Sequence, residues 1–82
     1  MYVKLENQII LKTETIIGIF DLDNTTLSKK TRDFLNRKEK EGKVIFLGYD
    51  LPKSFILLSS GEIYITQLST ATIKKRIKNG IK

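Results

Sequence analysis

TIIGIFDLDNTTL, residues 15–27, joins the most apolar run of the chain to its first abrupt polar turn, and its reading decides the fold. Ile16, Ile17, Ile19 and Phe20 form a short β-branched and aromatic run, the pattern of a strand buried on both faces. Gly18 in its middle implies a bulge or a close backbone approach. Asp21, Asp23, Asn24, Thr25 and Thr26 end the strand, because short polar side chains bond to nearby backbone and compete with the ladder. A helix is expected just after them, with Ser28 as its N-cap.

Outward from this stretch, residues 2–5 and 8–12 read as a two-strand hairpin closed by a tight turn at Glu6 and Asn7. Downstream, Leu27, Thr31, Phe34, Leu35 and the stem of Lys38 recur at helical spacing, and Gly42 is a suitable residue just past the helix end. Residues 44–47 and 55–58 are apolar strands, and residues 63–66 close a hairpin with the latter through Ser59, Ser60 and Gly61. Ser69 caps a short second helix over residues 70–78, with Ile73 and Ile77 inward and Asn79 and Gly80 ending it.

The order is βββα then βββα, a small α+β domain spanning residues 1–82 with a mostly antiparallel sheet. The third, fourth and fifth strands carry apolar residues on both faces, as strands do when each face is covered. Two short helices cannot cover both faces of such a sheet, so another copy of the chain is the simplest cover for the remaining side. A chain of 82 residues buries only about 60% of its unfolded surface. With neither Cys nor His present, disulfides and the usual transition-metal ligands drop out as supports, leaving self-association. The first residues carry no secretory pattern and no run approaches membrane-spanning length, so a cytoplasmic protein without a membrane partner is expected.

The formal charge of +6 is unevenly placed: residues 1–27 sum to −2, 28–41 to +3, 42–69 to 0 and 70–82 to +5. Positive charge therefore sits on the two helical segments, which suggests a polyanionic partner. Lys29 and Lys30 stand in the first turn of the first helix, where the dipole makes a cation unfavourable by about 0.3–1 kcal/mol. An anion against the exposed amides would reverse that sign, though a solvated face accounts for the same residues. Arg32, Arg37 and Lys40 continue the charge outward. Lys74, Lys75, Arg76, Lys78 and Lys82 are favoured near a helix end in any case, but have no acidic neighbour. Tyr49 and Lys53 flank Pro52 in a loop long enough to project; an aromatic beside a cation there can stack on nucleic acid or simply lid the core.

FDLDNTTL resembles the nucleophile motif of haloacid dehalogenase-type phosphatases, which implies Asp21 as nucleophile, Asp23 as acid and base, and magnesium between them. That chemistry also needs a Ser or Thr, a Lys and a later acidic pair on further parallel strands, for which the chain has no room. Turn and helix-start roles for Asp21, Asp23 and Asn24 are the expectation; no catalytic residue, metal or cofactor is assigned.

Gly18-Ile19-Phe20-Asp21, Pro52-Lys53-Ser54 and the run from Leu68 to Arg76, LSTATIKKR, resemble the RemA/RemB family of bacterial extracellular matrix regulators, nearest its RemB branch. The resemblance implies a cytoplasmic, non-enzymatic DNA-binding regulator of biofilm matrix genes from a Firmicute-like bacterium. It further implies a LytTR-like fold assembled into a closed homo-oligomeric ring. In the RemA branch arginines near the start of the third strand and in the loop before the fifth contact DNA; those places hold Thr15, Asp50 and Leu51 here, and only Lys53 keeps a charge beside that loop. The expected phosphate contacts are Lys29, Lys30, Arg32, Lys53, Lys74, Lys75 and Arg76 on double-stranded DNA, with no small-molecule ligand. An oligomeric protein-interaction regulator without DNA binding is the alternative, and the small phosphatase a third.

Overall fold

The structure, a computed structural model, describes residues 1–22, 28–48 and 51–79. Asp23, Asn24, Thr25, Thr26, Leu27, Tyr49, Asp50, Gly80 and Lys82, to which the sequence assigns roles, lie outside them. Strand β1 (Tyr2–Lys4) pairs antiparallel with β2 (Ile10–Lys12) as a sheet of its own. A four-stranded sheet follows in the order β3-β5-β6-β4, built from β3 (Ile16–Asp21), β4 (Val44–Phe46), β5 (Ser54–Leu58) and β6 (Ile63–Thr66). Helix α1 (Lys29–Lys40) lies between β3 and β4 in sequence, and α2 (Thr70–Asn79) follows β6. The α+β class and predominantly antiparallel pairing stand as expected, but β4 runs parallel to β6.

Both helix starts form as the sequence dictates. Ser28 Oγ accepts from the Thr31 N–H at 3.2 Å, and Ser69 Oγ from the Thr72 N–H at 3.1 Å. Helix α1 ends with Gly42 at φ 73°, and the Lys43 N–H reaches back to the Lys38 carbonyl at 3.0 Å, closing the last turn.

Alternation along β5 organises the core. Ile56 and Leu58 face one side, where Val3, Leu5 and Leu11 of the hairpin segment and Ile73 of α2 cover them. Phe55 and Leu57 face the other, with Ile63, Ile65 and the α1 residues Phe34 and Leu35. Each fully buried isoleucine, such as Ile56, Ile63 or Ile73, contributes about 1.5–3 kcal/mol. The two helices thus take opposite faces and the hairpin, a separate layer, adds to the cover of one. The expectation that a whole side of the sheet stays bare is corrected: the exposed apolar groups lie at its edges.

The reading of β3 as buried on both faces is also corrected. It is an edge strand, with Ile17 65% and Phe20 44% exposed, and Phe46 on the opposite edge is 58% exposed. An apolar run shows that a strand can be covered twice; whether it is depends on its place in the sheet, and β5 and β6 hold the inner positions.

Gly18 meets both of its expectations. The register passes from Ile16↔Leu58 to Gly18↔Leu57, so Ile17 is the extra residue of a bulge. A Cβ on Gly18 would lie 2.7 Å from the Phe20 ring, which stacks on Phe55 with centroids 4.8 Å apart. Gly18→Ala therefore pushes the ring off Phe55, and thermal denaturation should show a loss of about 1 kcal/mol, a fall of roughly 4–8 °C.

The tight turn expected at Glu6 and Asn7 is wider. A 3-10 turn over Glu6–Gln8 carries Asn7 at φ 57° and Gln8 at φ 61°, and the Leu5 N–H closes on the Ile9 carbonyl at 2.7 Å. Tertiary bonds hold this turn: Asn7 Nδ2 donates to the Leu47 carbonyl at 2.6 Å, and the Glu6 carboxylate accepts from Thr66 Oγ1 and from the Gln67 N–H.

Candidate nucleic-acid interface

Lys29, Lys30 and Arg32 project from the first turns of α1, all exposed, in a helix whose first turn contains no acid. The uncompensated helix dipole and the cations add to one positive field, suited to a phosphate. Lys30 also borders a groove of about 260 Å³ lined by Phe20, Thr31, Phe34, Phe55 and Leu57.

Lys53 is pinned through its backbone. Its N–H donates to the Thr66 carbonyl at 2.9 Å, and its carbonyl accepts from the Leu22 N–H at 2.7 Å, leaving the side chain exposed at the start of β5. It stands one step beyond the Asp21↔Ser54 pair, and Lys30 lies against the adjoining Phe20↔Phe55 pair. These two cations share one end of the sheet.

Lys74, Lys75 and Arg76 belong to α2, on the opposite face. Arg76 is not free for a ligand on all sides, since its Nη1 donates to the Lys4 carbonyl at 2.9 Å and ties α2 to β1. The seven sequence candidates therefore fall into two groups within one subunit, α1 with Lys53 and α2 with Arg76. Among the described residues none of the seven makes an ion pair; the two pairs present are Met1–Glu14 and Lys38–Glu41. The Met1 ammonium beside Glu14 holds that carboxyl below the ordinary glutamate range, with Thr13 assisting. Arg37, which the charge pattern also highlighted, and Lys38, whose stem belongs to the apolar stripe of the helix, lie over the Phe34 ring at 5.9 and 5.8 Å.

Thr15, at the place where the resemblance implies an arginine, is half-buried and structural: its Oγ1 donates to the Lys12 carbonyl at 2.6 Å and its carbonyl accepts from the Ser59 N–H at 2.8 Å. Leu51, at the second such place, is 87% exposed. Lys4 and Lys12 were missed as surface cations, although the alternation that buries Val3 and Leu11 already turns them outward.

Asp21 ends an edge strand that pairs antiparallel with β5, so it does not stand at the mouth of the parallel sheet on which phosphatase chemistry of that motif is built. Among the described residues no three His, Cys, Asp or Glu side chains gather as metal ligands. Nor is any helix among them long and apolar enough to cross a membrane.

A family model described as RemA-like, extracellular matrix regulatory protein A-like, matches residues 3–77. Extracellular matrix regulatory protein B of Bacillus subtilis (strain 168) is 36% identical over 76 residues, 93% of this chain and 89% of that protein. With nearly the whole chain matched on both counts, this protein belongs to the RemA/RemB family of extracellular matrix regulatory proteins, on the side of its RemB branch.

Proposed function

We propose that the protein is a cytoplasmic, non-enzymatic regulator of extracellular matrix (biofilm) genes that binds double-stranded DNA through its phosphate backbone as a homo-oligomeric ring with a LytTR-like subunit. The observation that carries DNA binding is the group Lys29, Lys30, Arg32 and Lys53, exposed and without a carboxylate partner among the described residues. Family membership supports the regulatory role. Assembly is supported by Ile17 and Phe20 on one sheet edge and Phe46 on the other. Unequal apolar edges favour a head-to-tail contact, which closes into a ring when the rotation between copies permits.

Three or four phosphate contacts from one subunit bind weakly, and affinity falls with log salt at about −0.9 per contact. A ring repeats those contacts at high effective concentration, and duplex shape rather than base edges would then select the site. Light scattering combined with duplex titration at several salt concentrations tests both halves. We expect a multimer at micromolar concentration and a salt slope steeper than four contacts allow. A monomer removes the ring, and no affinity at low salt removes DNA binding.

The exposed Leu51, where an arginine is implied, favours a second reading in which the oligomer acts through another protein. Leu51→Arg separates the two: strengthened duplex binding fits the first, and loss of regulation in cells with unchanged duplex affinity fits the second.

A further inference from the structure

We infer that the outer layer formed by β1, β2 and α2 docks on the surface of an anionic lipid bilayer, a binding surface that goes beyond the DNA-regulator reading and does not rest on it. It departs from the expectation of no membrane partner, which considered secretory and spanning segments alone. The pairing Tyr2↔Lys12 and Lys4↔Ile10 sets each cation of the hairpin's outer face opposite a large apolar side chain. Tyr2 is 44% and Ile10 54% exposed, while Val3 and Leu11 between them are buried.

Helix α2 continues this face. The Arg76 to Lys4 carbonyl bond sets it beside β1, and with Ile73 and Ile77 turned to the core, Lys75 is carried outward. Glu6 keeps its charge but is turned to Thr66 and Gln67, Glu14 is paired with the Met1 ammonium, and the net positive charge of the layer comes mainly from α2. The hairpin and α2 thus present cations interleaved with exposed apolar groups, with no unengaged carboxylate on either element.

A DNA duplex would use the cations and leave Tyr2 and Ile10 unsatisfied. An anionic bilayer uses both, lysines on the headgroups with their stems along the surface and apolar side chains in the interfacial layer. Charge complementarity with interleaved apolar area therefore selects the lipid surface over the duplex as occupant. Binding through so few apolar groups is reversible and sensitive to lipid charge.

Co-sedimentation of the full chain with phosphatidylglycerol/phosphatidylcholine vesicles and with pure phosphatidylcholine vesicles tests this. Binding is expected only to the first, weakened by salt, and weakened about tenfold or more in the Tyr2→Ser/Ile10→Ser variant, whose positions are exposed and whose fold circular dichroism checks. Absence of binding to anionic vesicles at low salt overturns the inference. So does unchanged vesicle binding by the variant, which reduces the effect to bulk charge. A changed mass in light scattering would reassign the patch to contact between copies, and reduced duplex affinity would reassign it to DNA; either result also overturns it. Duplex titration of the unaltered chain in parallel reports separately on the regulator reading.

Discussion

Exchange of Lys29, Lys30 and Arg32 for glutamate should abolish measurable duplex binding near physiological salt while leaving the subunit at least as stable as before. On the proposed reading, each exchange removes a phosphate contact and places an anion where the phosphate would sit. If all three cations make contact, the salt slope falls by about 2.7 per subunit, and in an assembly the loss recurs in every copy. Stability moves in the opposite direction. The first turn of α1 contains no acid, and glutamates there complement the helix dipole by about 0.3–1 kcal/mol each at exposed positions. The Ser28 cap is untouched. Loss of binding together with an unchanged or higher melting temperature therefore identifies contact rather than unfolding. Unchanged duplex affinity would leave these cations as a solvated face. The same exchange at Lys74 and Lys75, on the opposite side of the sheet, measures the α2 group separately.

The local signals in the chain are strong where one residue and its near neighbours decide the outcome. Ser28 and Ser69 cap because their hydroxyls reach amides three residues on, and Gly42 ends α1 because it adopts positive φ. Strand positions and the bulge at Gly18 were legible for the same reason. Strand order was not. The run from Ile16 to Phe20 has the composition of a central strand, yet β3 is an edge, because β5 reaches both β3 and β6 and takes an inner place. Likewise the charge of each helix could be read directly, but its grouping could not. Phe34 and Leu35 meet the Phe55 side of β5 whereas Ile73 meets the Ile56 side, and this alternation separates Lys29 and Lys30 from Lys74 and Lys75. Phosphatase-like spacing at Asp21 misleads for a related reason: motif spacing is local, while the parallel sheet that gives it meaning is not.

Glu6→Ala is expected to cost about 2–4 kcal/mol, as much as emptying a buried apolar position of the hairpin such as Leu5, although Glu6 is a charged residue in a surface turn. Its carboxylate accepts from Thr66 Oγ1 and from the Gln67 N–H at 2.9 Å, joining residues about sixty positions apart. Thr66 is 1% exposed, and its hydroxyl also accepts from the Leu68 N–H at 3.1 Å, so removal of the carboxylate strands a buried donor at the corner that leads into α2. Two orphaned donors cost about 1–3 kcal/mol each, offset in part where water reaches the half-buried site. Asn7 and Gln8 add to the effect: their positive φ persists only while the surroundings hold it, and Glu6 with the Asn7 to Leu47 bond supplies that hold. Glu6→Gln separates charge from geometry. Its amide oxygen can still accept from Thr66, but its NH2 group then faces the Gln67 N–H, donor against donor, so an intermediate loss of about 1–2 kcal/mol is expected. Denaturant titration of both variants checks the order, and hydrogen exchange locates it: amides of β1 and β2 should lose protection before those of β5 and β6. Equal stability of Glu6→Ala and the unaltered chain would mean that the hairpin is held by Val3, Leu5 and Leu11 alone.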